Sequence, residues 1–197
     1  SPNQIWHSVY SENCSIDEKA FCSELGWREF SYHLLFYNRS LSKNNLQKKF
    51  DKFPWSGDRV KLTLWEQGQT GIPFVDAGMR ELWNTGYMHN RVRMVVASFL
   101  VKNLQIHWVH GARWFWDCLV DADLSSNSAS WQWVAGSGAD AAPYFRIFNP
   151  SIQGKKYDPT GEYIRRFIPE LGDVPLRYLP CPWEASPDIL KNAGVIL

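Results

Sequence analysis

Eleven tryptophans among 197 residues are the first chemical signal in this chain. Indole offers broad apolar faces for stacking, a negative face for a cation, and a delocalised ring from which one electron can be withdrawn. Phe, Trp and Tyr make up 15% of the sequence, so part of the excess must be core. Composition does not choose among stacking, cation binding and electron transfer. Two carboxylates, Asp121 and Asp123, flank Ala122. Such a pair can hold a metal, but after a helix it reads first as a cap or a surface turn. His107 and His110 stand three apart and could share a helix face. With no further ligand nearby they read as partly buried or solvated histidines, and no metal is expected. The sequence holds no G-x-G-x-x-G, P-loop, H-E-x-x-H or G-x-S-x-G.

Bulk properties narrow the class. Hydrophobic residues at 45% and charged residues at 21% supply a core for one domain, or one domain and part of another. The longest clean apolar run, residues 94–101, is too short to span a bilayer, so no membrane partner is expected. A net charge of +1 gives no bulk attraction to nucleic acid, which would need a local patch. Cys14, Cys22, Cys118 and Cys181 are widely spaced and read as reduced thiols of a cytosolic protein.

The elements that must position these side chains are helical. Ser15 and Glu18 form a capping box ahead of a helix expected over residues 17–37. Residues 38–52 are polar and read as a surface loop, and 58–67 as a short helix. After Gly71-Ile72-Pro73, the residues Phe74, Val75, Met79, Leu82 and Trp83 make a helical stripe that stops at Gly86. Residues 90–107 predict a buried helix with Val92, Val95, Val96, Phe99, Leu100 and Leu104 around its circumference. Further helices are expected over 112–120, through Trp131 and Trp133, and over 162–167. Trp65, Trp83, Trp114 and Trp116 read as core. The last twenty-five residues, rich in proline, read as a wrapping tail. The fold class is all-α.

Several stretches then become specific together: Glu24-Leu-Gly-Trp27-Arg28-Glu29-Phe30, Thr70-Gly-Ile-Pro-Phe-Val-Asp76-Ala-Gly-Met-Arg80, Met88-His-Asn90-Arg91-Val-Arg93-Met94, Asp121-Ala-Asp123-Leu, Trp131-Gln-Trp133, and Asp140-Ala-Ala-Pro-Tyr-Phe-Arg146-Ile-Phe-Asn-Pro150. In this order they resemble the helical FAD-binding domain of the DNA photolyase/cryptochrome family, closest to bacterial class I cyclobutane-pyrimidine-dimer photolyases. The resemblance covers residues 1–183, with 184–197 read as a tail that starts a further extension. It implies a domain truncated at both ends. An α/β domain holding an antenna chromophore and the Ser/Thr-rich loop that grips the FAD phosphates would lie upstream, and Ser1-Pro2 resembles the end of that loop.

The resemblance also implies roles. Light-excited reduced FAD gives an electron to a pyrimidine dimer in UV-damaged DNA, which splits and returns it. Asn127 resembles the residue beside flavin N5, where plant cryptochromes carry an acid. Asp121, Ala122, Asp123 and Asn90 match flavin-contacting positions, and Arg93 matches the partner of the first acid. Trp131, Trp108 and Trp55 match the tryptophan chain from flavin to surface. Glu24, Trp27, Asn90, Met94 and Trp133 match the pocket for the flipped dimer, with Glu24 expected to have a raised pKa among apolar walls. Arg28, Arg91, Arg146 and Gln153 match DNA-facing positions, with Lys155 and Lys156 as weaker extensions of that patch. A monomeric bacterial cytoplasmic repair enzyme is the leading expectation. A cryptochrome-type flavin photosensor and a cofactor-free fragment are the alternatives.

Overall fold

The structure, a computed structural model, describes residues 1–11, 14–140 and 147–195. Among these residues the secondary structure is helical, and extended pairing is limited to one isolated parallel bridge between Ser56 and Ile106. Among the described residues no helix is long and apolar enough to cross a membrane.

Helices begin where side chains satisfy the first free N–H groups. α1 (Pro2–Val9) and α2 (Ile16–Tyr37) each open on a reciprocal capping box, Ser1 with Gln4 and Ser15 with Glu18. Ser1, expected to end a phosphate loop, is thus a helix cap. Asp58 caps α3 (Arg59–Glu66). Pro73 opens α4 (Pro73–Thr85), which stops at Gly86 with φ 69°, a left-handed conformation that glycine adopts freely. Histidine Nδ1 atoms cap the next two: His89 accepts from Arg91 N–H before α5 (Asn90–Ser98), and His107 from Val109 N–H before α6 (Trp108–Cys118). Asp123 caps α7 (Leu124–Ala135), which ends at Gly136 with φ 92°. Asn149 caps α8 (Pro150–Tyr157); α9 (Glu162–Phe167) and α10 (Pro187–Asn192) follow.

The helix expected over 90–107 does not run through. It ends at Ser98 and continues as a π-helical turn, Phe99–Asn103, where Leu104 N–H donates to Phe99 C=O at 3.0 Å. Gln105 then takes φ 55°, and the chain turns to start α6 at Trp108, one turn earlier than its apolar pattern indicated. Helices α1, α8 and α10 carry few buried residues, which is why no apolar period announced them.

Helix α5 is central, touching α4, α7 and α8, while α7 also packs on α2 and α6, and α4 on α3 and α9. The core joins Trp65, Phe74, Met79, Leu82, Val95, Val96, Leu100, Trp108 and Trp131, with Leu179 of the C-terminal segment sealed into it. Trp65 is core as expected, its indole N–H donating to Val96 C=O at 3.0 Å. Trp83 and Trp116 are not, at 68% and 46% exposed. Trp83 lies on the outer side of α4 and stacks on half-buried Trp114 at 5.7 Å.

Residues 38–52 form the expected loop, much of it exposed, but it is anchored to the core at buried points. Leu41 and Asn45 are buried, and the segment is tied to α7 through Gln132, a fully buried amide. Gln132 Nε2 donates to Leu41 C=O at 2.7 Å and Asn44 C=O at 2.9 Å, while Oε1 accepts from Leu46 N–H at 2.8 Å and the Ser137 hydroxyl at 3.3 Å. Replacing Gln132 by leucine keeps most of the volume and strands these partners. We expect an unfolding free energy lower by on the order of 2–4 kcal/mol in urea titration. A loss below ~1 kcal/mol would show that the loop does not need this amide.

Candidate active site

A cavity of about 140 Å³ opens among α5, α6 and α7, roughly ten times the ~15 Å³ that one buried water needs. Asn90, Arg93 and Met94 reach it from α5, Asn127 and Trp131 from α7, and Asp121, Ala122 and Asp123 from the turn between α6 and α7. Its walls divide by chemistry. Met94, Ala97, Phe115, Trp131 and Val134 are apolar, and Asn90, Arg93, Asp121, Asp123 and Asn127 are polar.

Four of the five polar side chains, Arg93, Asp121, Asp123 and Asn127, are held by hydrogen bonds. Arg93 Nη2 meets both Asp121 oxygens at 3.1 and 2.9 Å, and its Nε donates to Met88 C=O at 2.6 Å. The pair is a quarter to a half exposed, so water screens its Coulomb energy and its main effect is to fix the guanidinium. Burial alone would raise the Asp123 carboxyl. Hydrogen bonds from the Ser125 hydroxyl (2.6 Å), the Tyr32 hydroxyl (2.5 Å) and the Ser126 N–H (2.8 Å) overturn this and hold it down at about 2. Asn127 Nδ2 donates to Ala112 C=O of α6 at 2.8 Å. Its other amide hydrogen and Oδ1 have no partner among the described residues.

Trp131 is 2% exposed and meets Phe115 edge-on at 4.9 Å. It lies flush against α6 because residue 111 is glycine: a Cβ there would fall 2.2 Å from Trp131 Cη2. One turn earlier on α6 stands buried Trp108, its indole N–H donating to Asn45 Oδ1 at 2.8 Å. The His107 ring is 5.6 Å from Trp108 and 5.1 Å from half-buried Trp55. Burial, followed by the neighbouring His110, lowers the His107 pKa, so its neutral Nδ1 accepts from the α6 N-terminus. Ser56 N–H donates to Gln105 C=O at 2.7 Å and draws Trp55 to this place. Trp55, His107 and Trp108 thus form one run of rings, a membership that the capping role of His107 alone would not have revealed, and Trp131 packs on the same helix α6 at Gly111.

Other residues are placed differently. Glu24, Trp27 and Arg28 do not line the cavity; Glu24 is exposed and Trp27 is 55% exposed. The apolar enclosure expected for Glu24 is absent because α2 buries only Cys22 and Ser31 of its 22 residues. Trp133 is half-buried on α7 and also off the cavity wall. Arg91 adjoins Asn90 at the rim. Gln153 is half-buried on α8, its Oε1 lacking a partner among the described residues. Arg146 lies outside the described residues. Tyr32 is the contributor the sequence did not expose: its bond to Asp123 spans 91 residues.

This helical domain, with a mostly apolar cavity that carries a few fixed polar groups, has a clear family. Residues 21–197 match the FAD-binding domain of DNA photolyase, and the chain belongs to that family. A deoxyribodipyrimidine photo-lyase of Agrobacterium fabrum is 54% identical over all of this chain and 42% of its own length. The protein of that name from Escherichia coli is 46% identical with the same coverage, and cryptochrome-2 of Arabidopsis thaliana is 46% identical over 98% of this chain and 32% of its own. The solved structure of a bacterial class III photolyase from Agrobacterium tumefaciens superposes with a TM-score of 0.92 at 52% identity, covering 100% of this chain and 42% of that one. The chain therefore spans less than half the length of these relatives, and the likeness to class I enzymes read from its motifs is accompanied by one to a class III enzyme.

The residues present fit the family's cofactor. A flat ring system with apolar faces and polar edges suits a cavity that offers Trp131 and Met94 on its apolar side, and the unspent amide functions of Asn127 beside the fixed Arg93 on its polar side.

The low Asp123 pKa has a stability consequence. Its contribution is fully present above the ordinary carboxyl pKa of about 3.8 and is lost as pH falls toward about 2. Tyr32→Phe removes one of the bonds that lower it, so the Asp123 carboxyl should titrate at higher pH and acid unfolding should begin earlier. Carbon-13 NMR of the carboxylates reads this directly; an unchanged Asp123 titration would remove Tyr32 from the site.

Proposed function

We propose that this chain is the catalytic part of a deoxyribodipyrimidine photo-lyase that holds FAD in the cavity and uses light to repair cyclobutane pyrimidine dimers in UV-damaged DNA. One observation carries the reading: the cavity wall that presents Asn127 and the Arg93–Asp121 pair also presents Trp131, which packs on Gly111 of α6, the helix whose first residue Trp108 is linked through the His107 ring to half-buried Trp55. Bound FAD would supply a light-driven one-electron donor whose chemistry belongs to the flavin itself. The protein's part is positioning and electrostatics. Arg93, held by Asp121 and by Met88 C=O, keeps positive charge at the polar wall and favours an anionic ring there. Asn127, an amide, can donate or accept a hydrogen bond without exchanging a proton, which favours repair over signalling. With FAD bound in its oxidised form, Trp131, Trp108 and Trp55 would serve as oxidisable indoles that are refilled by an external reductant at the surface, each held by packing so that little reorganisation is needed.

DNA would meet the domain at the cavity mouth. Asn90 and Met94 contact a dimer turned out of the duplex, with Glu24 and the apolar faces of Trp27 and Trp133 around it. Arg28, Arg91, Arg146 and Gln153 serve the sugar–phosphate backbone and read no bases. An antenna chromophore would belong to a further domain of the kind the longer relatives have room for.

The test uses the chain supplied with FAD during refolding and freed of excess. Flavin bands that persist, bleach in blue light with a reductant and, once reduced, clear dimers from an oligonucleotide on illumination support the reading. Photoreduction with no dimer loss would turn it toward a photosensor. Trp131→Phe should slow photoreduction by roughly tenfold or more, the equivalent of at least ~1.4 kcal/mol in the barrier, while sparing repair by chemically pre-reduced protein. Equal loss of both would contradict the role given to Trp131.

A further inference from the structure

Two helices bring cations to one tyrosine outside the cavity wall. Arg91, in the first turn of α5 and next to cavity-lining Asn90, places its guanidinium carbon 4.9 Å from the centroid of the Tyr157 ring. Lys156, in the last turn of α8, places Nζ 5.1 Å from the same centroid. Tyr157 is 43% exposed, and Lys155 beside it is exposed too. Among the described residues the ion pairs are Lys61–Asp58, Arg80–Glu170 and Arg93–Asp121, so no carboxylate answers the cations at Tyr157.

For a folded chain alone this is an odd arrangement. The ring face attracts each cation, but gathering two like charges on one side chain sets them against each other. Arg91 also sits in the first turn of a helix, where the backbone already carries partial positive charge. Lys156 meets Tyr157 as its neighbour in sequence, as Lys49 meets Phe50 and Arg166 meets Phe167, and it is Arg91 that comes to the ring from another helix. Gly154, buried one turn before Tyr157, faces Phe74 of α4, and α8 packs on both α4 and α5. What the cluster lacks is an anion, and its two donors differ in a useful way: the guanidinium offers a planar two-pronged contact and the ammonium a compact charge.

We propose that Tyr157 is a positioning residue for DNA, its ring holding Arg91 and Lys156 together as a clamp for backbone phosphates beside the cavity mouth. The inference rests on the reading of this chain as a DNA-repair domain and adds a residue and a mechanism to it. The clamp contacts phosphates alone, so it strengthens damaged and undamaged DNA alike and leaves the choice of dimer to the cavity.

The test measures the Kd of the FAD-supplied chain for a labelled duplex with and without one dimer, across a series of salt concentrations. Tyr157→Leu should weaken both duplexes by a similar factor, about tenfold near 0.1 M salt, and reduce the dependence of log Kd on log salt by about one phosphate contact. Tyr157→Phe, which keeps the ring, should restore both affinity and salt dependence. In an Arg91→Ala background, Tyr157→Leu should add little, since the ring then has one of its two cations missing. Wild-type affinity and salt dependence in Tyr157→Leu, or a Tyr157→Phe variant as weak as Tyr157→Leu, would overturn the clamp while leaving DNA binding intact. Failure of the wild-type chain itself to bind either duplex would overturn the DNA-repair reading and the clamp together.

Discussion

A buried side-chain amide must find partners for two donors and two acceptor lone pairs or lose the desolvation energy of each. Gln132 finds all four, three of them on the backbone of residues 41–46. Its neighbours in sequence are Trp131 and Trp133, so the same turn of α7 that is locked to the loop presents Trp131 to the cavity. The loop in turn offers Asn45, which receives the Trp108 indole N–H. One satisfied amide thereby sets the position of α7, of the polar segment beneath it and of Trp108. The polar composition of residues 38–52, which in the sequence argued for a surface loop, is the composition needed to satisfy buried groups from another element.

The cavity wall follows a similar rule. Its polar side chains are restrained by hydrogen bonds: Arg93 by Met88 C=O and Asp121, Asp123 by Tyr32 and Ser125, Asn127 by Ala112 C=O. Restrained polar groups face a ligand without first giving up freedom, which is how pre-organised sites gain affinity and hold electrostatics in place. Asn127 is the member with hydrogen-bonding capacity left over, and that spare capacity sits where an edge of a planar cofactor can use it.

Glycine and backbone geometry supply the remaining constraint. The absence of a side chain at residue 111 lets Trp131 rest on α6, and the π turn after α5 with left-handed Gln105 redirects the chain so that Trp108 and Trp55 come within reach of His107. Neither device has a strong sequence signature. A π turn arises where tertiary packing outbids regular hydrogen bonding, and Gln105 carries no mark of its φ.

What the sequence determined unaided was local or combinatorial. The Ser15–Glu18 capping box, Pro73 and Gly86 around α4, and the stop at Gly136 act within one turn of chain, so they can be read from neighbouring residues alone. The ordered set of motifs indicated the family, because such a conjunction carries far more information than any one of them. What only the tertiary structure decided was the pairing of distant groups: Tyr32 with Asp123, Gln132 with the 41–46 segment, Trp55 with His107, and Arg91 with Tyr157. It also placed Glu24 in solvent and Trp83 on the outer side of α4. Caps and periodicity concern atoms that the covalent chain already keeps close, whereas these contacts depend on how whole helices settle against one another. That balance of burial and hydrogen bonding is summed over the entire core, and no local stretch of residues contains it.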